Sequence, residues 1–266
     1  MKIGFVGFGV VGKSTAIALS KYHKIFPYDK FKEEYNDPSI LREVEAIFIC
    51  VPTPMKKSGE IDLKEIKDSL ETLKNISFKI DPLIIIRSTV VPGTTDELEK
   101  TYSFNLATNP EFLREKTAVE DMLNTKKIVF GAKNKKDFEI LDKIYKPVFP
   151  NATYFYFDRK TAEMVKYSSN AMLAGQIALA NEIYNICSVI DVNYEEIKKV
   201  LLLDERIAKN IDVPGNDGDF GFGGKCFPKD FNSLIYFSRE KGYRPYLLEE
   251  AWRLNERVRK NKNWIF

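Results

Sequence analysis

The sequence predicts an α/β chain: a doubly wound sheet over residues 1–157, then an all-helical region over residues 158–266 built on one long central helix. Three observations carry that prediction. Short apolar runs alternate with helical segments through the first half. Two of those runs, Ala46 to Val51 and Leu83 to Ile86, are too apolar for an exposed edge and suit a parallel sheet covered on both faces. Near Asp158 the strand signals stop and helical spacing takes over.

The elements follow in order. Lys2 to Gly7 is a short apolar strand, and Val10 to Lys21 reads as a helix. Lys24 to Tyr28 and Ala46 to Val51 read as strands, and Asp62 to Asn75 as an amphipathic helix. Leu83 to Ile86 is a buried strand. Leu106 to Thr108, Lys127 to Gly131 and Thr153 to Phe157 are further strands, with charged helices between them. From Thr161 to Ile190 one helix dominates. Its apolar residues recur at Val165, Met172, Leu179, Ile183, Ile186 and Ile190, and a second line runs through Leu173, Ile177 and Tyr184. Two lines predict burial over a wide arc. Asn193 caps a helix over Tyr194 to Leu203. A Gly-rich loop, Pro214 to Gly224, precedes a helix opening at Pro228. The last helix, Tyr246 to Arg259, places Leu247, Ala251, Leu254 and Val258 on one face.

Composition narrows the chemistry. The 266 residues carry 41 Lys and Arg against 38 Asp and Glu, a formal net charge of +3. That balance gives no case for a nucleic-acid or membrane partner. No apolar run approaches the ~20 residues of a membrane span. Met1-Lys2-Ile3-Gly4-Phe5-Val6-Gly7 enters a strand directly, so no signal peptide is expected. Three widely spaced Cys (Cys50, Cys187, Cys226) suggest neither a disulfide framework nor a metal site, and a cytoplasmic location is the expectation. A single His, His23, argues against a His-based triad or a multi-His metal site. Chemistry falls to Cys, Lys, carboxylates or a cofactor.

Gly7-Phe8-Gly9-Val10-Val11-Gly12 is a G-x-G-x-x-G element that follows a strand and opens a helix. The first Gly permits the tight turn, the second lets a pyrophosphate approach, and the third allows close helix–sheet packing. Asp29 ends the second strand, 17 residues after Gly12. A carboxylate there accepts from a ribose 2′-OH and disfavours a 2′-phosphate, which selects NAD over NADP. Lys30 and Lys32 weaken that discrimination. The sheet is then Rossmann-type. Ligands of such sheets lie at the strands' carboxyl ends. Here those tips are Val51-Pro52-Thr53-Pro54, Ser88-Thr89-Val90 and Thr108-Asn109-Pro110-Glu111. Each tip taken singly is equally an ordinary turn.

Gly221-Phe222-Gly223-Gly224-Lys225-Cys226-Phe227-Pro228-Lys229-Asp230 is the second signal. Three glycines leave backbone bare for a ligand. Pro228 suits a first helical turn, which puts Cys226 at or just before the helix N-terminus. The helix dipole with Lys225 and Lys229 lowers a thiol pKa there, and a thiolate is a good nucleophile toward a carbonyl. Cys50, in an apolar strand, and Cys187, in a buried helix, read as inert. Lys166 and Asn170 share a helix face that continues into Leu173 and Ile177. Taken alone, the pair reads as the solvated end of that stripe rather than a polar pocket.

Together GFGVVG, the VPTP turn with Asp62 after it, RSTVVPGTT, NPEFLREKTA, VKYSSNAMLAGQIALANE and GFGGKCFPKD resemble the UDP-glucose/GDP-mannose dehydrogenase family from residue 1 to about residue 260. The resemblance implies an NAD-binding domain, then a helical domain that dimerises through its long helix. It implies that Cys226 is the catalytic thiol, that Lys166 and Asn170 stabilise an oxyanion, and that Asp230 is the active-site aspartate. Glu111 and Thr89 position or activate a hydrolytic water. Gly7, Gly9, Val10, Val11, Gly12, Asp29, Thr53, Ser88, Thr89 and Lys229 approach the cofactor. Phe112, Leu113, Phe222 and Gly223 line the sugar-nucleotide site with Lys166 and Asn170. Arg206 reaches substrate, in some members from the neighbouring subunit.

The implied reaction is a four-electron oxidation of the C6 alcohol of a nucleotide sugar, UDP-glucose first, to the uronate through a thiohemiacetal and a thioester on Cys226. Two other readings stay open: a two-electron β-hydroxyacid-type dehydrogenase, and a non-catalytic NAD-binding short form. The family's third domain, which holds much of the nucleotide, has no counterpart in these residues. A natural short form, a truncation or a partner chain that completes the site each accommodate that.

Overall fold

The computed structural model describes residues 1–262 and Trp264. The chain divides into two compact units, residues 1–54 with 62–166, and residues 55–61 with 167–266.

The first unit contains β1 (Lys2–Val6), α1 (Val10–Leu19), β2 (Lys24–Tyr28), β3 (Ala46–Ile49), α2 (Lys64–Lys74), β4 (Leu83–Ile86), α3 (Thr94–Tyr102), β5 (Leu106–Thr108), α4 (Ala118–Leu123), β6 (Lys127–Gly131), α5 (Lys135–Tyr145) and β7 (Thr153–Phe157). One sheet orders them β2-β1-β3-β4-β5-β6-β7. Period-2 alternation splits its core. Phe5, Phe48, Ile85 and Phe130 feed one face. Ile47, Ile49, Ile84 and Ile86 feed the other, beneath Leu70 and Leu98. Every residue of β3 and β4 is buried, which is why neither run alternates.

The sheet is not parallel throughout. β6 runs antiparallel to β5, and the two meet at Thr108 and Gly131. An apolar run buried on both faces reads the same in either direction, so the sequence pattern is blind to this reversal. β7 pairs in parallel with β6 and leaves Phe155 and Tyr156 partly exposed at the edge.

The helix α6 (Arg159–Val189) runs 31 residues, and its first turns belong to the first unit. Arg159 donates to both Glu99 carboxylate oxygens at 2.9 Å and to the Leu106 carbonyl at 2.9 Å. The guanidinium holds Glu99 down to about 2. One turn later Glu163 accepts from the Gly93 and Thr95 backbone N–H groups, at 2.5 and 2.9 Å, at the start of α3. It thereby satisfies donors that a helix terminus leaves open.

The second unit holds the rest of α6, α7 (Tyr194–Leu201), α8 (Phe227–Glu240) and α9 (Tyr246–Val258). Asn193 caps α7 by accepting from the Glu195 N–H. Residues 55–61, from the first half of the sequence, join this unit: Met55 bridges Ile61, and Gly59 lies beside Asn232 and Tyr236 of α8. Ala174, Ala178, Phe222, Phe231 and Ile235 form one core, and Ala180, Cys187, Tyr194, Ile211 and Val213 another.

Two expectations change here. In this unit the buried side of α6 is made of Tyr167, Asn170, Ala174, Ala178, Ala180, Asn181 and Cys187, whereas Met172, Leu179, Ile186 and Ile190 are exposed. Periodicity marks an apolar face without saying what covers it. On α9, Leu247 is exposed and Leu248 packs inward with Ala251 and Leu254. Among the described residues, no helix is long and apolar enough to cross a membrane.

Burial outweighs the two donors on Glu163 and pushes its carboxyl up to about 7. The folded state therefore binds this proton more tightly than the unfolded chain. The associated stability is present below the ordinary carboxylate pKa and is lost as pH rises to about 7. That window corresponds to about 3 kcal/mol. Glu163→Gln should remove this contribution. Its stability relative to the unaltered chain should rise by up to that amount between pH 4.5 and 8 in chemical denaturation, and a pH-independent difference would refute the assignment.

Candidate active site

In the first unit, Gly7 takes φ +86°, a left-handed conformation that favours glycine. A Cβ on Gly12 would stand 2.2 Å from the Gly7 carbonyl oxygen, so α1 packs against the turn as only glycine allows. At Gly9 a Cβ would meet nothing within 4 Å. No side chain caps α1 at Gly9, so the helix N-terminus offers backbone donors to an anion. Val10 is exposed beside it. Asp29 accepts from the Phe8 N–H at 2.8 Å and from the Phe31 N–H at 3.1 Å, which fixes its carboxylate beside the turn. Lys32 donates to the Phe8 carbonyl at 2.5 Å. A bare turn, an open helix end and a fixed carboxylate fit a dinucleotide with unmodified ribose.

The strand tips are tied together. Thr53 donates to the Thr89 carbonyl at 2.8 Å, and Ser88 donates to the Val51 carbonyl at 2.7 Å. Cys50 lies under the turn, with its Cβ 3.4 Å from where a Gly12 Cβ would be. Burial pushes the Cys50 thiol up to about 12, as suits an inert residue.

Beyond β5, Glu111 pairs with Lys166 at 2.9 Å and accepts from the Leu113 N–H at 2.5 Å. Lys166 also lies 5.7 Å from the centre of the Phe112 ring. Lys166 and Asn170 are both buried, contrary to the solvated helix end expected from their spacing. What covers Lys166 is Glu111, 55 positions earlier, a contact no local pattern reveals.

Sequence reasoning also passes over the support of this segment. Arg87, buried after β4, donates to the Asn109 carbonyl at 3.2 Å, the Asn109 Oδ1 at 2.5 Å and the Thr15 hydroxyl at 2.9 Å. Tyr145 donates to the same Asn109 Oδ1. Among the described residues no carboxylate pairs with Arg87. Its position directly after a buried strand is the one signal that could have marked it.

In the second unit, Cys226 is the N-cap of α8 and is exposed. Its carbonyl accepts from the Asp230 N–H at 2.9 Å. Asp230 is buried and accepts from Asn170 Nδ2 and Lys229 Nζ, each at 2.5 Å. Arg206 lies at the surface, paired with Asp204 at 2.6 Å. Phe222 is buried between Phe231 and Trp252, with ring centres 5.1 and 6.0 Å away, so its ring is core.

The expectation of three bare glycines holds for Gly224, where a Cβ would meet nothing within 4 Å. Gly221 and Gly223 are instead faced by side chains of α9 and the residue after it. A Cβ on Gly221 would lie 2.2 Å from Asn255 Oδ1, and one on Gly223 would lie 2.0 Å from Arg259 Nη2. Neither Asn255 nor Arg259 has a sequence signal beyond its spacing.

Residues 27–149 match the NAD binding domain of the UDP-glucose/GDP-mannose dehydrogenase family, and residues 160–257 match its central domain. The chain belongs to the UDP-glucose/GDP-mannose dehydrogenase family. It is 44% identical over 211 residues to the UDP-glucose 6-dehydrogenase of Rickettsia felis, an alignment covering 77% of this chain and 46% of that one. The chain thus spans about half the length of the curated relatives it matches. Among solved structures it resembles a UDP-glucose dehydrogenase from Pyrobaculum islandicum, with TM-score 0.84 and 26% identity, covering 96% of this chain and 68% of that one. It also resembles a UDP-D-ManNAc dehydrogenase from Pyrococcus horikoshii, with TM-score 0.81 and 25% identity, covering 97% and 68%. NAD is the cofactor that this family's first domain binds, and the glycine turn fits it.

Two substitutions separate folding from cofactor binding. Gly12→Ala should destabilise the first unit by about 1–3 kcal/mol through overpacking. Gly9→Ala should keep the melting temperature of the unaltered chain but lose most of the stabilisation that NAD+ confers. Thermal scans with and without NAD+ read both, and an undiminished NAD+ shift in Gly9→Ala would refute the assignment.

Proposed function

We propose that this chain carries the dehydrogenase chemistry of its family: NAD-dependent four-electron oxidation of the C6 alcohol of a nucleotide sugar to the uronate. UDP-glucose is the substrate that the names of its relatives favour. The observation that carries the reading is Cys226, exposed at the N-cap of α8, the position where helix donors favour a thiolate. Residues 1–157 serve the cofactor and residues 158–266 the thiol.

Bound NAD+ would supply the hydride acceptor for C6 at each of two oxidation steps. In the first step the alcohol loses that hydride, passes its hydroxyl proton to water and becomes an aldehyde. The Cys226 sulfur then bonds to the aldehyde carbon, and the carbonyl pair moves to oxygen. Lys166 and Asn170 donate to that oxygen, each a contribution of about 3–4 kcal/mol to the transition state. In the second step the oxyanion re-forms its C=O bond as C6 gives up its remaining hydride, and the adduct becomes a thioester. A water positioned by Glu111 and Thr89 adds to the thioester and passes one proton to Glu111 and the other to solvent; the C–S bond breaks, and the carboxylate leaves as the thiolate is restored. Asp230, fixed by Asn170 and Lys229, orients the thiol's helix and holds the Asn170 amide in place.

Phe112, Leu113 and the backbone around Phe222 and Gly223 line the sugar-nucleotide site in this reading. Arg206 supplies a guanidinium to substrate bound by a neighbouring subunit, which its surface position permits. The exposed line Met172, Leu179 and Ile186 supports a homodimer through α6. The reaction suits a cytoplasmic location, where thiols stay reduced.

The test is stoichiometry. A panel of UDP- and GDP-sugars with NAD+ should give two NADH per sugar consumed, highest with UDP-glucose. Cys226→Ser should give no uronate and at most one NADH. Lys166→Met should slow turnover by 10²-fold or more, of order 3 kcal/mol. One NADH per sugar from the unaltered protein would sink the four-electron reading in favour of a two-electron dehydrogenase.

A further inference from the structure

Asn255 and Arg259 are four residues apart, at the end of α9 and just past it, so they present to one side. Both reach the loop that precedes the thiol. Asn255 Oδ1 accepts from the Phe222 N–H at 2.7 Å, and its Nδ2 donates to the Phe222 carbonyl at 3.0 Å. This pairs one residue's backbone as a strand neighbour would. Arg259 is 4% exposed. It donates to Asp217 Oδ2 at 2.5 Å, to the Phe220 carbonyl at 3.2 Å and to the Asn261 carbonyl at 3.0 Å. Asp219 closes the arrangement by accepting from the Lys260 and Asn261 N–H groups, at 3.3 and 2.7 Å.

The glycines record the fit. A methyl group on Gly223 would lie 2.0–2.4 Å from three atoms of the Arg259 guanidinium. The guanidinium therefore rests on bare backbone three residues before Cys226. Buried charge-assisted hydrogen bonds of this kind fix geometry more firmly than neutral ones.

We infer that Arg259, with Asn255, is a positioning residue: its guanidinium sets the Asp217–Gly224 loop and so fixes how the Cys226 thiol is presented at the start of α8. The inference rests on the reading of Cys226 as the nucleophile. It goes beyond it by making the thiol's reactivity depend on a residue 33 positions away.

The experiment is the pH–rate profile of Cys226 alkylation by iodoacetamide in the intact chain, followed by peptide mass spectrometry. Hydrogen exchange over residues 217–226 and melting temperature are measured alongside. In Arg259→Met the alkylation rate at pH 7 should fall about tenfold, with the profile displaced about one unit upward, a change of about 1.4 kcal/mol. Arg259→Lys keeps the charge but not the fork, and should restore less than half of that loss. Gly223→Ala displaces the guanidinium from the other side. It should reproduce the Arg259→Met profile and add little to it in the double variant. A lower melting temperature with an unchanged profile would overturn the positioning role, as would additive effects of the two substitutions. An ordinary thiol profile already in the unaltered chain refutes the nucleophile reading instead. Exchange over 217–226 then judges the clamp by itself: loss of protection in Arg259→Met upholds it, and unchanged protection overturns it.

Discussion

Lys166 and Glu111 meet at 2.9 Å with both side chains nearly out of water. Neither charge is tolerable there alone, because removing one partner strands the other at a cost of about 3–5 kcal/mol. The pair therefore fixes two pieces of backbone that sequence separates, the segment after β5 and the first turns of α6. The Leu113 N–H holds the second oxygen of Glu111, and the Phe112 ring lies beside the ammonium. Arg159 and Glu163, on the preceding two turns of α6, repeat the arrangement against α3. One helix start thus carries three ionisable side chains, each buried and each answered by a partner from the sheet's connections.

The second unit solves a similar problem with a carboxylate at its centre. Asp230 is buried, and both of its oxygens are engaged, one by Asn170 and one by Lys229. Its own N–H closes the first hydrogen bond of α8 on the Cys226 carbonyl. The start of the thiol's helix is in this way pinned from within by Asp230. From the preceding loop it is pinned by Asn255 and Arg259. Glycine at 221 and 223 serves that packing, whereas a Cβ on Gly224 would meet nothing within 4 Å.

What the sequence made legible follows from range. The strand runs and the glycine turn are local, and the structure has them within a residue or two, down to Asn193 capping α7 and Cys226 standing at the start of α8. The direction of β6 was not legible, because double-sided burial erases the pattern that direction would leave. Nor was the burial of Lys166 and Asn170. Helical spacing placed them on one face, but Glu111 and Asp230, which cover them, come from far along the chain. The line Met172, Leu179 and Ile186 failed in the opposite sense, since its apolar spacing is real and its cover is not within this chain's described residues. Arg87, Glu163, Asn255 and Arg259 went unread because a lone polar residue has no period.

The lone pairs decide whether this arrangement can also work as chemistry. An ionised carboxylate offers about four acceptor sites. Glu111 uses one on the Leu113 N–H and one on Lys166, which leaves capacity for a water without breaking either contact. An ammonium has three N–H donors, and Glu111 occupies one of them. Among the described residues no other side chain pairs with Lys166, so under the proposed reaction its remaining donors would serve a developing oxyanion while the ion pair stays intact. The same pair that keeps two buried charges stable therefore leaves each of them a vacancy of the right sign. Under the proposed reaction, Lys166 and Glu111 would serve adduct and water without giving up their ion pair, and donors held in place in this way carry no reorganisation cost at the moment of reaction.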